Sequence, residues 1–173
     1  MTLFEYVQRG GPIMYILILA NIISFTIIIW KYLVLSGEKK NINALADNLL
    51  NSMRNESEGQ LSFDYAKERI EHHVHSLEKG LNIVKITATT SPLLGLLGTV
   101  LGILVAFETI SAQGLGKPEL FASGIAMALI TTAGGLLVAI PNNIFYNFLT
   151  SSLNNIQMKL EEILIPKINN SGK

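Results

Sequence analysis

The chain is 173 residues long, balances 13 Lys and Arg against 13 Asp and Glu, has no cysteine, and is 49% hydrophobic but only 15% charged. A soluble domain of this length carries about a quarter charged residues, and the zero net charge and missing thiols exclude a basic nucleic-acid footprint, disulfides and thiolate metal sites. The charge is also missing in blocks. None lies between Pro12 and Trp30, and only Glu108, Lys117 and Glu119 lie between Ile86 and Asn143, which is the distribution of an integral membrane protein.

Residues 1–11 read as a short interfacial lead-in, with Leu3, Phe4, Tyr6 and Val7 among polar neighbours. Gly10-Gly11 breaks it, and Pro12 suits the first turn of the next helix. Residues 12–35 form a first span whose few polar residues are Asn21, Ser24 and Thr26. Its apolar run, Pro12 to Trp30, exceeds a signal-peptide core of about 7–15 residues. Lys31 and Tyr32 follow it as interface anchors in place of a small-x-small cleavage site, so a retained span is expected.

Residues 36–85 carry the returning charge and two amphipathic patterns. One is Leu45, Leu49 and Met53; the other is Ala66, Ile70, Val74, Leu77 and Leu81. Both have helical spacing, and Asn55 to Ser62 reads as the turn between them. Residues 86–111 form a second span, residues 112–120 a short loop marked by Gly114, Gly116 and Pro118, and residues 121–146 a third span. Residues 147–173 continue as a helix and tail. There Leu149, Leu153, Ile156, Leu160 and Ile163 follow a heptad seam, and Pro166 is expected to end it. The fold class is therefore an all-α integral membrane protein with three transmembrane helices and long helical extensions.

Lys and Arg set the orientation. The 36–85 segment holds Lys39, Lys40, Arg54, Lys67, Arg69, Lys79 and Lys85, and the tail adds Lys159, Lys167 and Lys173. The lead-in has Arg9 and the 112–120 loop has Lys117. The long segment and the C-terminus are expected in the cytoplasm, and the N-terminus and short loop outside.

Two stripes of small residues stand out. Span two presents Ser91, Gly95, Gly98, Thr99, Gly102 and Ala106, and span three Gly124, Ala128, Thr131, Thr132, Gly135 and Ala139. Small residues at i+3 and i+4 let helix backbones approach closely in lipid, so helix packing alone accounts for the stripes. A threonine can also bond its own i−4 carbonyl and be inert. Thr99 and Thr132, however, fall near the midpoints of two antiparallel spans and so at one depth, which reads as a polar lining of an ion pathway, with Thr131 beside Thr132 included in it. No titratable group lies at that depth, although membrane proton relays generally use one. Glu108, near the end of span two, reads either as an interfacial carboxylate or as an entry site for cations. Any midplane acid must come from another protein.

Pro92 and Pro141 lie at matching ends of the two spans and free carbonyls there. Asn142, Asn143 and Asn147 follow Pro141, as a wet exit or as a cap on the transition to water. Helical spacing puts His72 on one face with Glu68 and with His75, and His73 beside them, but without a further ligand group nearby these histidines read as solvated, and no metal site is expected. Gly95, Gly98 and Gly102 lack the Lys-Ser/Thr of a phosphate loop. No nucleophile–base arrangement is visible, so no enzyme activity and no cofactor are expected.

The stretch from Ser91 through Gly95, Gly98-Thr99-Val100 and Gly102 to Ala106-Phe107 resembles the second-span signature of the ExbB/TolQ/MotA family. The stretch from Gly124 through Thr131-Thr132-Ala133-Gly134-Gly135 to Pro141, with Tyr146-Asn147 beyond, resembles its third. The three-span layout is similar to the short ExbB and TolQ type. The resemblance implies a proton-channel subunit of the bacterial inner membrane, a homopentamer around a single-span ExbD- or TolR-type partner whose transmembrane aspartate carries the proton. It implies that Thr99 and Thr132 face that aspartate, and that the complex works on the envelope through a TonB- or TolA-type protein. Many relatives have glutamate where this chain has Met127. Two other readings compete. A structural membrane scaffold would use the small stripes for packing alone, and a permease subunit would need an ATPase-coupling loop that the sequence lacks.

Overall fold

The computed structural model describes residues 3–56, 63–114 and 118–171. Among them the protein is helical almost throughout: α1 (Leu3–Arg9), α2 (Gly11–Lys40), α3 (Ile42–Glu56), α4 (Phe63–Glu78), α5 (Leu81–Gln113) and α6 (Pro118–Ser171). Part of the expected turn between α3 and α4, residues 57–62, and residues 115–117 of the expected short loop lie outside the described residues. Three stretches are long and apolar enough to cross a membrane: Gly11–Lys40, Leu81–Gln113 and Phe121–Ile168.

Two breaks depend on glycine. Gly80 (φ 93°) separates α4 from α5, and Gly114 (φ 73°) follows the last residue of α5. Both adopt the left-handed conformation that a Cβ disfavours. The Gly114 amide donates back to the Ile110 carbonyl at 2.8 Å and satisfies one of the terminal acceptors. Proline does not break the helices it enters. α5 runs through Pro92, and α6 runs through Pro141 and past Pro166 to Ser171. At Pro166 the carbonyl left without a donor is that of Glu162, an exposed residue whose backbone can reach water, so the helix continues.

The chain forms two compact units. The first comprises the described residues of 1–27 and 83–145. Its outward faces are apolar: Ile16, Leu19 and Ile22 on α2, Leu93, Leu96, Val100 and Phe107 on α5, and Leu129, Leu137 and Ile144 on α6 are all exposed. Its interior combines a small aliphatic cluster with small and polar residues, Thr131, Asn142 and Ser24 at 0% exposure and Ser91 at 1%. Apolar surface on this scale is stable only against lipid or other apolar chains. α2 and α6 run parallel in this unit. Met14 lies on Gly134, Ile13 and Leu17 pack with Val138, and Phe25 meets Phe145 edge-on with ring centroids 6.0 Å apart.

The second unit comprises the described residues of 28–82 and 146–173, and its core is aliphatic. Ala66, Ile70, Val74, Leu77 and Leu81 are all buried, as their spacing predicts. On α3 the buried stripe is Ala46, Leu50 and Met53, with Leu45 and Leu49 half-buried beside it. On α6 it is Leu149, Leu153, Ile156 and Leu160, then Leu164 and Ile168. The last steps differ from the expected heptad, which places Ile163 in the seam. Over eleven residues, Leu149 to Leu160, the stripe follows a nearly straight helix, and without a strict 3.5-residue supercoil it drifts onto Leu164. Lys31 is buried in this unit. Its ammonium donates to the Leu77 carbonyl in the last turn of α4 at 2.7 Å and lies 4.7 Å from the Trp30 ring centroid. A cation at a helix C-terminus opposes the partial negative charge there.

Candidate functional site

The two small-residue stripes face each other. α5 and α6 run antiparallel, and their backbones approach so closely that side chains are excluded along the line of contact. A methyl group added at Gly102 would stand 2.6 Å from the Gly124 carbonyl oxygen and 2.7 Å from the Ala128 nitrogen. One at Gly124 would meet Gly102 and Ala106, and one at Gly135 the Ser91 carbonyl at 2.6 Å. At Gly95 it would stand 2.9 Å from the Thr131 carbonyl oxygen. Ser91, Gly95, Gly98, Gly102, Ala106, Gly124, Ala128, Gly135 and Ala139 are all buried. Close approach strengthens dispersion contacts where no hydrophobic drive exists between helices.

The threonines divide. Thr131 lies inside the seam, fully buried against Gly98, and its hydroxyl is bonded at 3.0 Å to the carbonyls of Met127 and Ala128 on its own helix. Thr132, one residue on and therefore about 100° around the helix, is half-buried at the seam's edge. Its hydroxyl crosses to the Gly95 carbonyl of α5 at 3.3 Å, a long bond. In a regular helix that carbonyl is also the acceptor for the Thr99 amide. Thr132 thus bonds the turn of α5 that carries Thr99. The half-buried Thr99 donates its hydroxyl proton to Leu96 O at 2.5 Å, which leaves its oxygen lone pairs as an acceptor.

Glu108 is exposed on α5. His72 and His75 are exposed on α4, with His75 Nδ1 3.5 Å from Glu78 Oε2, and no group of three His, Asp or Glu residues is gathered among the described residues. Ser91 donates to the Thr87 carbonyl at 2.6 Å.

A buried amide is the polar feature that the sequence left open. Asn142 neither caps the helix nor reaches water. Its Nδ2 donates to Asn21 Oδ1 at 3.1 Å and to Val138 O at 2.7 Å, and its Oδ1 accepts from the Ser24 hydroxyl. Asn21 and Ser24, three residues apart on α2, are the signal that could have found it: two polar groups on one face of a greasy helix need a partner. Asn142→Leu is expected to lower stability by about 1–2 kcal/mol, read as a drop in melting temperature in detergent. An unchanged melting temperature would mean that the amide is dispensable.

Residues 38–162 match the profile of the MotA/TolQ/ExbB proton channel family. The chain is 49% identical over 73 residues to the biopolymer transport protein ExbB of Aquifex aeolicus, which covers 42% of this chain and 49% of that protein. It is 31% identical over 137 residues, 72% of each chain, to a putative biopolymer transport protein ExbB-like 1 of Helicobacter pylori. It is 42% identical over 84 residues to the Tol-Pal system protein TolQ of Haemophilus influenzae, 49% of this chain and 37% of that one. The chain thus matches about half of the Aquifex protein's length and less of the TolQ protein's.

Proposed function

We propose, from the premise that this chain belongs to the MotA/TolQ/ExbB proton channel family, that it is the multi-span subunit of an inner-membrane proton channel. It works with a single-span ExbD- or TolR-type partner that supplies a transmembrane aspartate. Residues 12–35, 86–111 and 121–146 cross the membrane, with the N-terminus in the periplasm and the 36–85 and 147–173 segments in the cytoplasm. Five copies surround the partner, and the assembly turns proton motive force into work on the envelope through a TonB- or TolA-type protein.

The observation that carries this reading is that the Thr132 hydroxyl crosses to the Gly95 carbonyl, one turn before Thr99, whose own hydroxyl bonds Leu96 O. A protonated carboxyl needs an acceptor for its O–H, which the Thr99 lone pairs supply. A carboxylate needs a donor, and the long Thr132 bond is the hydroxyl most easily redirected to one. Neither threonine titrates near neutral pH, so the pair serves a carried proton without holding it, and the carrier must be the partner's acid. Thr131 has its proton engaged within the seam and takes a packing role.

The test is proton flux into vesicles under an imposed gradient. The chain with the partner is expected to conduct, whereas the chain alone, or with the partner's aspartate changed to asparagine, is expected not to. Equal flux from the chain alone would overturn the division of labour. A scaffold without ion conduction is favoured by one observation, that the small stripes are taken up in packing on each other. It predicts no flux with any partner.

A further inference from the structure

The first unit contains a second feature, separate from the threonines. A recess of about 650 Å³ opens among Arg9 of α1, Val105 of α5, and Glu119, Ala122, Ser123, Gly124, Ala126 and Met127 of α6. Apart from the Ser123 hydroxyl its walls are apolar between two charged residues of opposite sign. Arg9 closes α1, and Glu119 lies in the first turn of α6, so both belong to the ends of helices that border the apolar stretches. Both side chains are exposed, and among the described residues they form no ion pair with each other. Met127 lines the recess from the first turns of α6. It is half-buried, and its Cε would stand 3.0 Å from a methyl placed on Gly11, so it joins the recess to the α1–α2 turn.

We infer that this recess is a binding site for a phospholipid whose headgroup carries both a phosphate and an amine. A slot lined mainly by apolar side chains at the boundary of a membrane is poorly filled by water, because Ser123 and the two charged residues are the polar partners its lining offers. An acyl chain meets Val105, Ala122, Ala126 and Met127 on equal terms. At the mouth, guanidinium suits a phosphate, to which it can present two parallel N–H donors. A lone cation would accept any anionic lipid. The carboxylate of Glu119 changes that, because it repels a purely anionic headgroup and accepts hydrogen bonds from an ammonium group. The pair complements a zwitterion that has N–H donors, and discriminates by repulsion as well as attraction. A quaternary amine has no N–H to donate and fits less well.

The test is lipid retention by the intact chain, extracted in mild detergent, delipidated, and loaded with phosphatidylethanolamine, phosphatidylglycerol or phosphatidylcholine before native mass spectrometry. Phosphatidylethanolamine is expected to be retained about tenfold better than either of the others. Arg9→Ala should remove retention of all three. Arg9→Lys should keep part of it, since a point charge replaces a fork. Glu119→Gln should abolish the preference by improving phosphatidylglycerol retention while weakening that of phosphatidylethanolamine. Both side chains are exposed, so these variants are expected to fold, which an unchanged melting temperature would verify. Met127→Trp, which enlarges a lining side chain into the recess, should lower retention of every lipid. Retention that ignores both Arg9 and Glu119, or phosphatidylglycerol held as well as phosphatidylethanolamine by the unaltered chain, would overturn the proposal.

Discussion

Gly102→Val is expected to remove folded protein from the membrane fraction. No rotamer adjustment relieves the substitution, because the atoms that meet a Cβ at this position, the Gly124 carbonyl oxygen and the Ala128 nitrogen, are backbone. The two helices must separate, and the line of contact from Ser91 to Ala106 loosens with them. Overpacking a core costs about 1–3 kcal/mol when side chains can shift. Here they cannot, so the cost exceeds about 3 kcal/mol, a large share of the marginal stability of a small protein. Gly98→Val should behave similarly, since its Cβ would overlap the Thr131 side chain. Gly37→Ala is the control. Nothing lies within 4 Å of a Cβ there, and the change exchanges a poor helix former for the best one, worth about 1 kcal/mol in its favour. Membrane-fraction yield and melting temperature in detergent read all three. A Gly102→Val chain as abundant and as stable as the parent would show that α5 and α6 do not meet along this seam.

The double change Thr99→Val with Thr132→Val is expected to leave folding nearly intact and to reduce partner-dependent proton flux by about tenfold or more. Valine is close to threonine in size, and the lost bonds are small contributors. The Thr99 hydroxyl bonds its own turn, and the Thr132 bond is long. Interhelical hydrogen bonds in membranes are worth about 0.6 kcal/mol on average. A factor of ten in flux needs about 1.4 kcal/mol at the rate-limiting barrier, within the about 1–3 kcal/mol that a buried polar group loses when its hydrogen-bond partner is removed, as the proposed pairing with the partner's carboxyl requires. The paired control is Thr131→Val. Its hydroxyl is held by the Met127 and Ala128 carbonyls within the seam, so flux should change little. Loss of flux in Thr131→Val with none in the double variant would reverse the roles assigned to the adjacent threonines.

These contrasts show where sequence reasoning stops. Three apolar blocks, and polar segments with helical spacing between and after them, were enough for an all-α membrane protein, because burying backbone in lipid leaves helices as the economical solution for such blocks. The stripe Ala66, Ile70, Val74, Leu77 and Leu81 was legible for the same kind of reason: one aliphatic face among charges has one way to be buried. The end of α6 was less so. Ile163 and Leu164 are both aliphatic, and only the drift of a nearly straight helix puts Leu164 in the core. Asn142 was visible as a polar residue after a proline, but its partners Asn21 and Ser24 lie more than a hundred residues away, out of reach of any local pattern.

The candidate site divides in the same way. The sequence by itself determined that Thr99 and Thr132 sit on small-residue faces without a carboxylate at their depth, because residue type and span length are local properties. Tertiary structure alone decided that those faces close on each other, that Thr131 is inside the seam while Thr132 is at its edge, and that Thr132 and the Thr99 turn share the Gly95 carbonyl. Adjacent threonines differ by about 100° of helix rotation, and a stripe of glycine and alanine is too smooth to fix that rotation until the partner helix is in place.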